Sequence, residues 1–296
     1  MFIRRVTRTR QPQVITGLAR ETPLARGTVA AYVPGRKGDL AGSFVLGANG
    51  SIQGSERGLT LRGSGSANVG TLTSTWGSTT QLSVTLLLRT MADWTTTGGQ
   101  YNMVYELTAD AATTNGGVAV YNSGTSTEKF HVVTRGTAAV VRFNATRPAN
   151  SQWLMLTGTH DTNGTGVTDS CNLWIDGQLI SFPSSSGTAP GGGNLATSAL
   201  NIFSRNAASL PTNAQAALVA IHNRVLSEAE VKSLHSNPWQ IFAPRRIWVP
   251  AAVSAGGATG TLATTNANDT SAASGTTTVV RSEEHTSELQ SRSAIS

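Results

Sequence analysis

Two carboxylates at a suitable spacing are what hydrolysis of a glycosidic bond requires, because one protonates the leaving oxygen while the other attacks or activates water. The glutamates before residue 281 are Glu21, Glu56, Glu106, Glu128, Glu228 and Glu230. Only Glu228 and Glu230 lie close together, and their sequence context is that of a helix start. The sequence therefore predicts no catalytic pair and a protein that is not an enzyme.

Histidine and cysteine show no metal-binding pattern. The single cysteine, Cys171, excludes an internal disulfide and a cysteine-based zinc cluster. No base that would activate this thiol is evident, so we expect a small buried residue. The histidines before residue 281 have no spacing typical of metal ligands: His131, His160, His222 and His235.

Aromatic rings beside Asp or Asn side chains are the groups that suit a glycan, since a ring has an apolar face and the carboxylate or amide accepts hydrogen bonds. Trp94, Tyr101 and Tyr105 lie at or near predicted loops, and Trp174 alternates with two aliphatic neighbours. Together with Asp176, the rings of Trp94, Tyr101 and Trp174 are the candidate ligand-binding residues. Each ring also fits a core position, and the sequence leaves that alternative open.

The elements that carry these residues are predicted to be strands. Of the 296 residues, 39% are hydrophobic, 13% are charged and about 71 are Ser or Thr. Threonine suits a pleated surface, whereas Gly and Ser suit turns. From residue 28 to about residue 225, short alternating segments follow one another without long helices. This pattern predicts an all-β fold, a two-sheet antiparallel sandwich.

The strand pattern is clearest over 81–89, where every second residue from Leu82 to Leu88 is aliphatic. Asp176-Gly177 lies between two apolar segments and predicts a hairpin with a type I′ turn. The other predicted strands are 28–33, 58–63, 101–108, 117–122, 129–134, 138–143, 152–160, 171–176, 199–204 and 216–223.

One short helix is predicted near the end of this region. Ser227 followed by Glu230 forms a capping box, and Asn237-Pro238 ends the helix. We expect the apolar residues that follow to pack back against the sheets: Trp239, Ile241 and Phe242.

Several motifs occur in an order that resembles a known family. These are ARETPLARGTVAAYVPG at 19–35, QWLMLTGTHD at 152–161, NLWIDGQLI at 172–180 and an ending that contains NPWQIF at 237–242. Over residues 18–250 the chain resembles the laminin-G-like, concanavalin A-like lectin–glucanase jelly rolls of bacteria and phages. The resemblance implies a jelly-roll sandwich with one short C-terminal helix.

The resemblance also implies a role. Phage members of this family are commonly virion or tail-associated proteins, which favours a non-catalytic module of a phage or prophage particle that contacts glycan or a neighbouring protein and forms a homo-oligomer. A glycan-cleaving enzyme of the same fold and an architectural spacer are the alternatives. Enzymes of this fold carry an E-x-D-x-x-E pattern, which the chain lacks.

Calcium is the one cofactor that the resemblance implies. Family members often bind Ca²⁺ at the rim of the sandwich, and the loop HDTNGTGVTD at 160–169 supplies Asp161, Asn163 and Asp169. Oxygen ligands of this type suit a hard cation. An ordinary turn rich in Asp and Asn is the alternative interpretation.

The positive charge of the chain is concentrated at its beginning. The formal net charge is +6, and residues 1–26 contribute six arginines and one glutamate, a local charge of +5. This basic arm (1–17) lacks the interleaved aromatic residues that stack on bases, which argues against nucleic acid. No apolar segment reaches the roughly 20 residues that span a bilayer, and Arg4-Arg5 precede no apolar signal core. We therefore expect synthesis in the bacterial cytoplasm without a signal peptide and exposure as part of a virion.

The composition changes again after residue 250. Residues 251–280 have almost no large apolar side chain and are typical of a linker or of a truncated Thr/Ala-rich repeat. Residues 281–296, which begin RSEEHTSELQS, resemble the in-frame translation of a sequencing adapter. We therefore expect these residues to lie outside the folded domain and the natural C-terminus to be missing.

Overall fold

The structure is a computed structural model that describes residues 15–19, 22–33, 45–47, 51–55, 58–62, 71–73, 78–90, 101–123, 130–144, 151–205, 210 and 212–244. Over these residues the chain forms two packed antiparallel sheets, which confirms the predicted all-β sandwich. The basic arm before residue 15 and the segments 251–280 and 281–296 lie outside the described residues, so their interpretations stay predictions.

The strands follow one another along nearly the whole described chain. They are β1 Ile15–Leu18, β2 Thr28–Tyr32, β3 Val45–Gly47, β4 Ser51–Ser55, β5 Gly58–Arg62, β6 Thr71–Thr73, β7 Gln81–Thr90, β8 Asn102–Leu107, β9 Val118–Asn122, β10 Phe130–Arg135, β11 Ala139–Asn144, β12 Leu154–Asp161, β13 Cys171–Ile175, β14 Gln178–Leu179, β15 Ser184–Ser186, β16 Leu200–Ile202, β17 Ala214–His222 and β18 Phe242–Pro244. Every predicted strand is present, with its ends within two residues of the observed bounds.

Helical structure is sparse in the described chain. A 3-10 turn covers Pro23–Ala25, a one-turn helix α1 covers Val167–Ser170, and helix α2 covers Glu228–Ser236. Helix α2 is the predicted C-terminal helix, whereas the two short turns were not predicted from the sequence.

The strand order shows how the two sheets interleave along the chain. The front sheet has the order β15-β11-β10-β9-β8-β16-β6-β3, and the back sheet has the order β14-β13-β12-β7-β17-β5-β4, with β2 also paired to β17. Strands β1 and β18 form a separate pair. Several strands that are neighbours in a sheet are far apart in sequence. The chain therefore crosses repeatedly between the two sheets, as in a jelly roll.

The main core lies between the two sheets. Strand β7 pairs with β12 and β17, and its Leu82, Val84, Leu86 and Leu88 point inward, as the alternation predicted. The front sheet contributes inward-facing residues that include Leu107, Val120, Phe130, Val132 and Val140. Burying each such side chain contributes about 1.5–3 kcal/mol, so this apolar interior is the main stabilising term.

A second apolar cluster covers the outer face of the back sheet. Val231 and Leu234 of α2 pack there against Leu87 and Leu218, and the segment after α2 extends the same cover. The residues of that segment are Trp239, Ile241 and Phe242, as predicted.

Hydrogen bonds at the start of α2 connect this helix to the segment that precedes β2. Ser227 and Glu230 form the predicted capping box. The Arg224 guanidinium donates to both carboxylate oxygens of Glu230, at 2.8 and 2.7 Å, and also to the carbonyl oxygens of Pro23 and Arg26. One arginine therefore fastens the segment before β2 to the helix.

A buried polar network joins the two sheets. Tyr105 Oη in the front sheet lies 2.7 Å from Nε2 of His160 in the back sheet, and Thr134 Oγ1 lies 2.8 Å from His160 Nδ1. Burial lowers the pKa of His160 to about 3, so the imidazole is neutral at ordinary pH. Gly158 makes room for the tyrosine hydroxyl, because a Cβ at that position would lie 1.8 Å from Tyr105 Oη.

We expect Glu230→Gln to lower the free energy of unfolding by about 1–2 kcal/mol at pH 7, because it weakens the charged hydrogen bonds from Arg224. Those bonds lower the pKa of Glu230 to about 2, so their stabilisation is present above the usual carboxyl pKa and is lost as the pH falls towards 2. Urea unfolding at several pH values measures this. The matched control is Glu228→Gln, whose partner Lys232 is exposed and whose effect should stay below about 0.5 kcal/mol. Equal losses in the two variants would contradict the assignment.

We expect Tyr105→Phe to destabilise the chain by about 1–3 kcal/mol, because the substitution leaves a buried His160 nitrogen without its hydroxyl partner. Thermal and urea unfolding measure the change. Tyr101→Phe removes an equivalent hydroxyl from an exposed ring and should leave the stability unchanged. A Tyr105→Phe protein as stable as the wild type would show that the network does not hold the sheets together.

Candidate functional site

Four aromatic side chains form a row across the outer face of the front sheet. Tyr101 immediately precedes β8, Tyr121 lies in β9, His131 in β10 and Phe143 in β11. The strand register places Tyr121 opposite His131 and His131 opposite Phe143. Successive ring centroids are 4.9, 4.8 and 4.6 Å apart. We call these four residues the aromatic row; their spacing is that of rings in direct contact.

The exposure of the aromatic row is greatest at Tyr101, and Phe143 at the other end is half-buried. Tyr101 is 40% exposed, whereas Tyr121 and His131 are buried at 8% and 6%. An apolar floor of Met103, Ala119 and Val133 packs with Tyr121. The exposed Tyr101 ring is therefore held against a neighbour that the sheet fixes in place.

The row carries no charge near neutral pH. Burial lowers the pKa of His131 to about 4 and raises the pKa of Tyr121, so both groups stay neutral. His131 Nδ1 lies 3.1 Å from Tyr121 Oη.

An ion cluster of Glu106, Asp110 and Arg205 lies on the same face. Arg205 donates from Nε to Glu106 Oε2 at 2.7 Å and from Nη2 to Glu106 Oε1 at 3.0 Å and to Asp110 Oδ1 at 3.3 Å. Glu106 pairs with Ala119, which lies two residues before Tyr121 on the same face of β9, so the cluster lies close to the aromatic row.

Glu106 is the buried member of the ion cluster. Its side chain is fully buried, and besides Arg205 it accepts a hydrogen bond from the Ala111 backbone N–H at 2.9 Å. Burial raises the pKa of this carboxyl, and the hydrogen bonds from Arg205 and Ala111 oppose the rise. Because both oxygens are engaged and no solvent reaches them, Glu106 is placed to hold structure and not to exchange protons with a substrate.

A second arginine, Arg135, lies at the end of β10 on the outer face. Its Nη1 donates to the Ala112 carbonyl oxygen at 2.7 Å and its Nε to Asn115 Oδ1 at 3.3 Å. Both contacts go to the loop between β8 and β9, so this arginine fixes the edge of the candidate site.

The residues singled out from the sequence do not come together. Tyr101 is 40% exposed and immediately precedes β8 of the front sheet, whereas Trp94 lies outside the described residues. Trp174 is only 7% exposed and packs in the cluster beneath α2, so its ring faces are not accessible. Tyr105 lies in β8 and its ring is buried in the core, which is the alternative that the sequence left open.

Asp176 has a structural role in the hairpin between β13 and β14. It has φ 53° and Gly177 has φ 77°, the two left-handed residues that the predicted type I′ turn needs. Its Oδ1 accepts a hydrogen bond from the Met155 backbone N–H at 2.7 Å. The hairpin belongs to the back sheet, away from the aromatic row.

The loop predicted to bind calcium uses its carboxylates locally. Asp161 accepts hydrogen bonds from the Gln81 amide at 2.7 Å and from the Asn163 backbone N–H at 2.8 Å, and Asp169 accepts one from the Thr165 hydroxyl at 3.2 Å. Among the residues that the structure describes, no three His, Cys, Asp or Glu side chains group in a way that could hold a metal ion. The calcium site has no support in this geometry and stays a prediction.

Several residues of the candidate site were not predicted from the sequence. Tyr121 could have been found, since it alternates with the inward-facing Val118 and Val120 of its strand. The ion cluster could not, because Arg205 is 99 positions from Glu106 and no local pattern joins them.

No helix within the described part of the chain is long and apolar enough to cross a membrane.

Comparison with known proteins gives a fold but no family. The chain matches no protein-family profile and no curated protein. Among solved structures it is similar to domain 4 of AbnA, a GH43 extracellular arabinanase from Geobacillus stearothermophilus, in complex with arabinotriose. The identity is 16% and the TM-score 0.51, over 70% of this chain and 98% of that domain.

Two longer proteins contain similar domains. Trypanosoma rangeli sialidase in complex with sialic acid shares 12% identity at a TM-score of 0.52, over 74% of this chain and 34% of the sialidase. The binding domain of botulinum neurotoxin DC in complex with rat synaptotagmin II shares 11% identity at a TM-score of 0.51, over 72% of this chain and 52% of that chain. The chain thus spans about a third and about half of these proteins. At such identities the likeness shows a shared β-sandwich fold alone.

We expect Arg205→Ala to lower the free energy of unfolding by about 3–5 kcal/mol at pH 7, because it leaves the Glu106 charge buried without its cation. The loss should shrink as the pH falls, since Glu106 then takes up a proton through its raised pKa. Urea unfolding between pH 7 and pH 4 measures both effects. The double variant Glu106→Gln with Arg205→Ala should recover part of the loss. A single variant as stable as the wild type would contradict the role of the pair.

Proposed function

We propose that this chain is a non-catalytic glycan-binding module whose ligand contacts the outer face of the front sheet at Tyr101. The observation that carries the proposal is the exposed Tyr101 ring, fixed 4.9 Å from Tyr121 at the most exposed end of the aromatic row. A rigid, exposed ring offers an apolar face to the C–H face of a sugar at a small cost in conformational entropy.

The ion cluster on the same face supplies a hydrogen-bonding group for sugar hydroxyls, because the side chain of Asp110 is partly exposed. Asn102 does not contribute, since it pairs with Asn122 and faces the interior of the sandwich. A few polar groups beside an apolar platform are the usual composition of a ligand site. The similar solved structures include an arabinanase domain in complex with arabinotriose and a sialidase in complex with sialic acid, which supports a glycan ligand at the level of the fold alone.

The contacts of Glu106 support a module that binds a glycan without cleaving it. Glu106 is the one glutamate in the candidate site among the described residues, and its oxygens are occupied by Arg205 and Ala111. A hydrolase would need two carboxylates that reach the substrate, and among the described carboxylates of the site only Asp110 is exposed. A hydrolysis assay on each bound glycan tests this directly, and turnover would overturn it.

The biological context belongs to the same proposal. We place the module on a phage or prophage particle, and the support is the order of motifs over residues 18–250. A protein ligand and an architectural spacer are the competing roles; oligomerisation without binding to any glycan would favour the spacer.

A melting temperature that EDTA does not change would count against the predicted calcium site.

We expect Tyr101→Ala to weaken binding to the best ligand of a glycan array at least tenfold, which corresponds to about 1.4 kcal/mol. The melting temperature should change little, because the ring is exposed. Isothermal titration calorimetry measures the affinity. Tyr101→Phe should retain binding because it keeps the ring. Leu179→Ala removes an exposed apolar side chain from the back sheet and should have no effect. Unchanged affinity in Tyr101→Ala would place the ligand elsewhere.

A further inference from the structure

The charges around the aromatic row determine which glycans the face accepts. Among the described residues of this face, the cations Arg135 and Arg205 are balanced by the anions Glu106 and Asp110. The rings themselves are neutral. The described face therefore has no net charge, although the whole chain has a formal charge of +6.

Recognition of a carboxylate usually relies on an arginine whose planar fork is available. The fork of Arg205 is already taken, because Nε and Nη2 both donate to Glu106 at 2.7 and 3.0 Å. A ligand carboxylate that displaced Glu106 would leave that buried carboxylate without its cation, which is costly.

Arg135 offers no free fork either. Its Nε and Nη1 donate to Asn115 and to the Ala112 carbonyl oxygen, so the guanidinium is turned to the β8–β9 loop. Asp110, whose side chain is 36% exposed, is the most accessible charge of the ion cluster and would repel an anion.

We infer that the site selects neutral glycans and discriminates against glycans that carry a carboxylate. The inference rests on the proposed function, and it adds the chemical class of the ligand. A neutral sugar stacks on Tyr101 without disturbing Arg205, whereas a uronic acid or a sialic acid gains no cation on a face whose most accessible ionic group is the Asp110 carboxylate.

An array that carries neutral oligosaccharides beside carboxylated counterparts of the same linkage tests this inference. Galactotriose and trigalacturonic acid are one such pair, because they differ by oxidation at C6. The full chain is used at 300 mM NaCl, so that the basic arm at 1–17 is screened. Each ligand found is measured by calorimetry together with its counterpart. We expect the neutral member to bind at least tenfold more tightly.

Asp110→Asn keeps the shape and the hydrogen-bond acceptor of that side chain but removes its charge. We expect it to narrow the neutral-to-carboxylated affinity ratio at least threefold. Glu228→Gln makes the same change of charge on α2, in contact with the other sheet, and should leave the ratio unchanged.

The outcomes separate the two proposals. Tighter binding of the carboxylated members, or a ratio that Asp110→Asn does not change, would overturn the inference and leave the glycan-binding function intact. Binding to neither class would overturn the proposed function and the inference with it.

Discussion

The hydrogen bond between Tyr105 and His160 joins the two sheets through the interior and contributes to the orientation of β8. It crosses the interior from β8 to β12 and holds the Tyr105 ring inside. Side chains alternate along a strand, so fixing Tyr105 inward places Glu106 outward. The ion cluster on the outer face therefore depends on a bond made within the core.

A β-bulge in β8 extends this constraint to the aromatic row. The register shifts between Met103 and Tyr105, so that Val104 and Tyr105 both join the core while Met103 and Glu106 both face outward. Without the bulge, Met103 and Glu106, three positions apart, would lie on opposite faces. The floor of the row and the ion cluster would then be separated by the sheet.

Helix α2 explains why the candidate site lies on the front sheet. The helix and the segment 239–242 cover the outer face of the back sheet, and Arg224 locks the helix start to the chain before β2. Trp174 is buried under this cover. The ends of the domain thus close one outer face and leave Tyr101 exposed on the other.

Much of this arrangement could be predicted from the sequence, because it depends on local chemistry. Alternation located the strands, Asp176-Gly177 located a hairpin, and Ser227 with Glu230 located the helix start. The same alternation placed Trp174 on the face opposite Leu173, which is correct. It could not show that α2 covers that face, since the contact joins segments some 55 residues apart. The Glu106–Arg205 pair could not be predicted for the same reason. The bulge in β8 could not be predicted either, because no residue pattern distinguishes it from a regular strand.

The most direct test of this account is a crystal structure of the chain with the tightest-binding neutral oligosaccharide. We expect one sugar ring to lie parallel to the Tyr101 ring within van der Waals distance, on the outer face of the front sheet, with Arg205 still paired to Glu106. A sugar bound at the 160–169 loop or beside the Asp176 hairpin, with Tyr101 free, would contradict it.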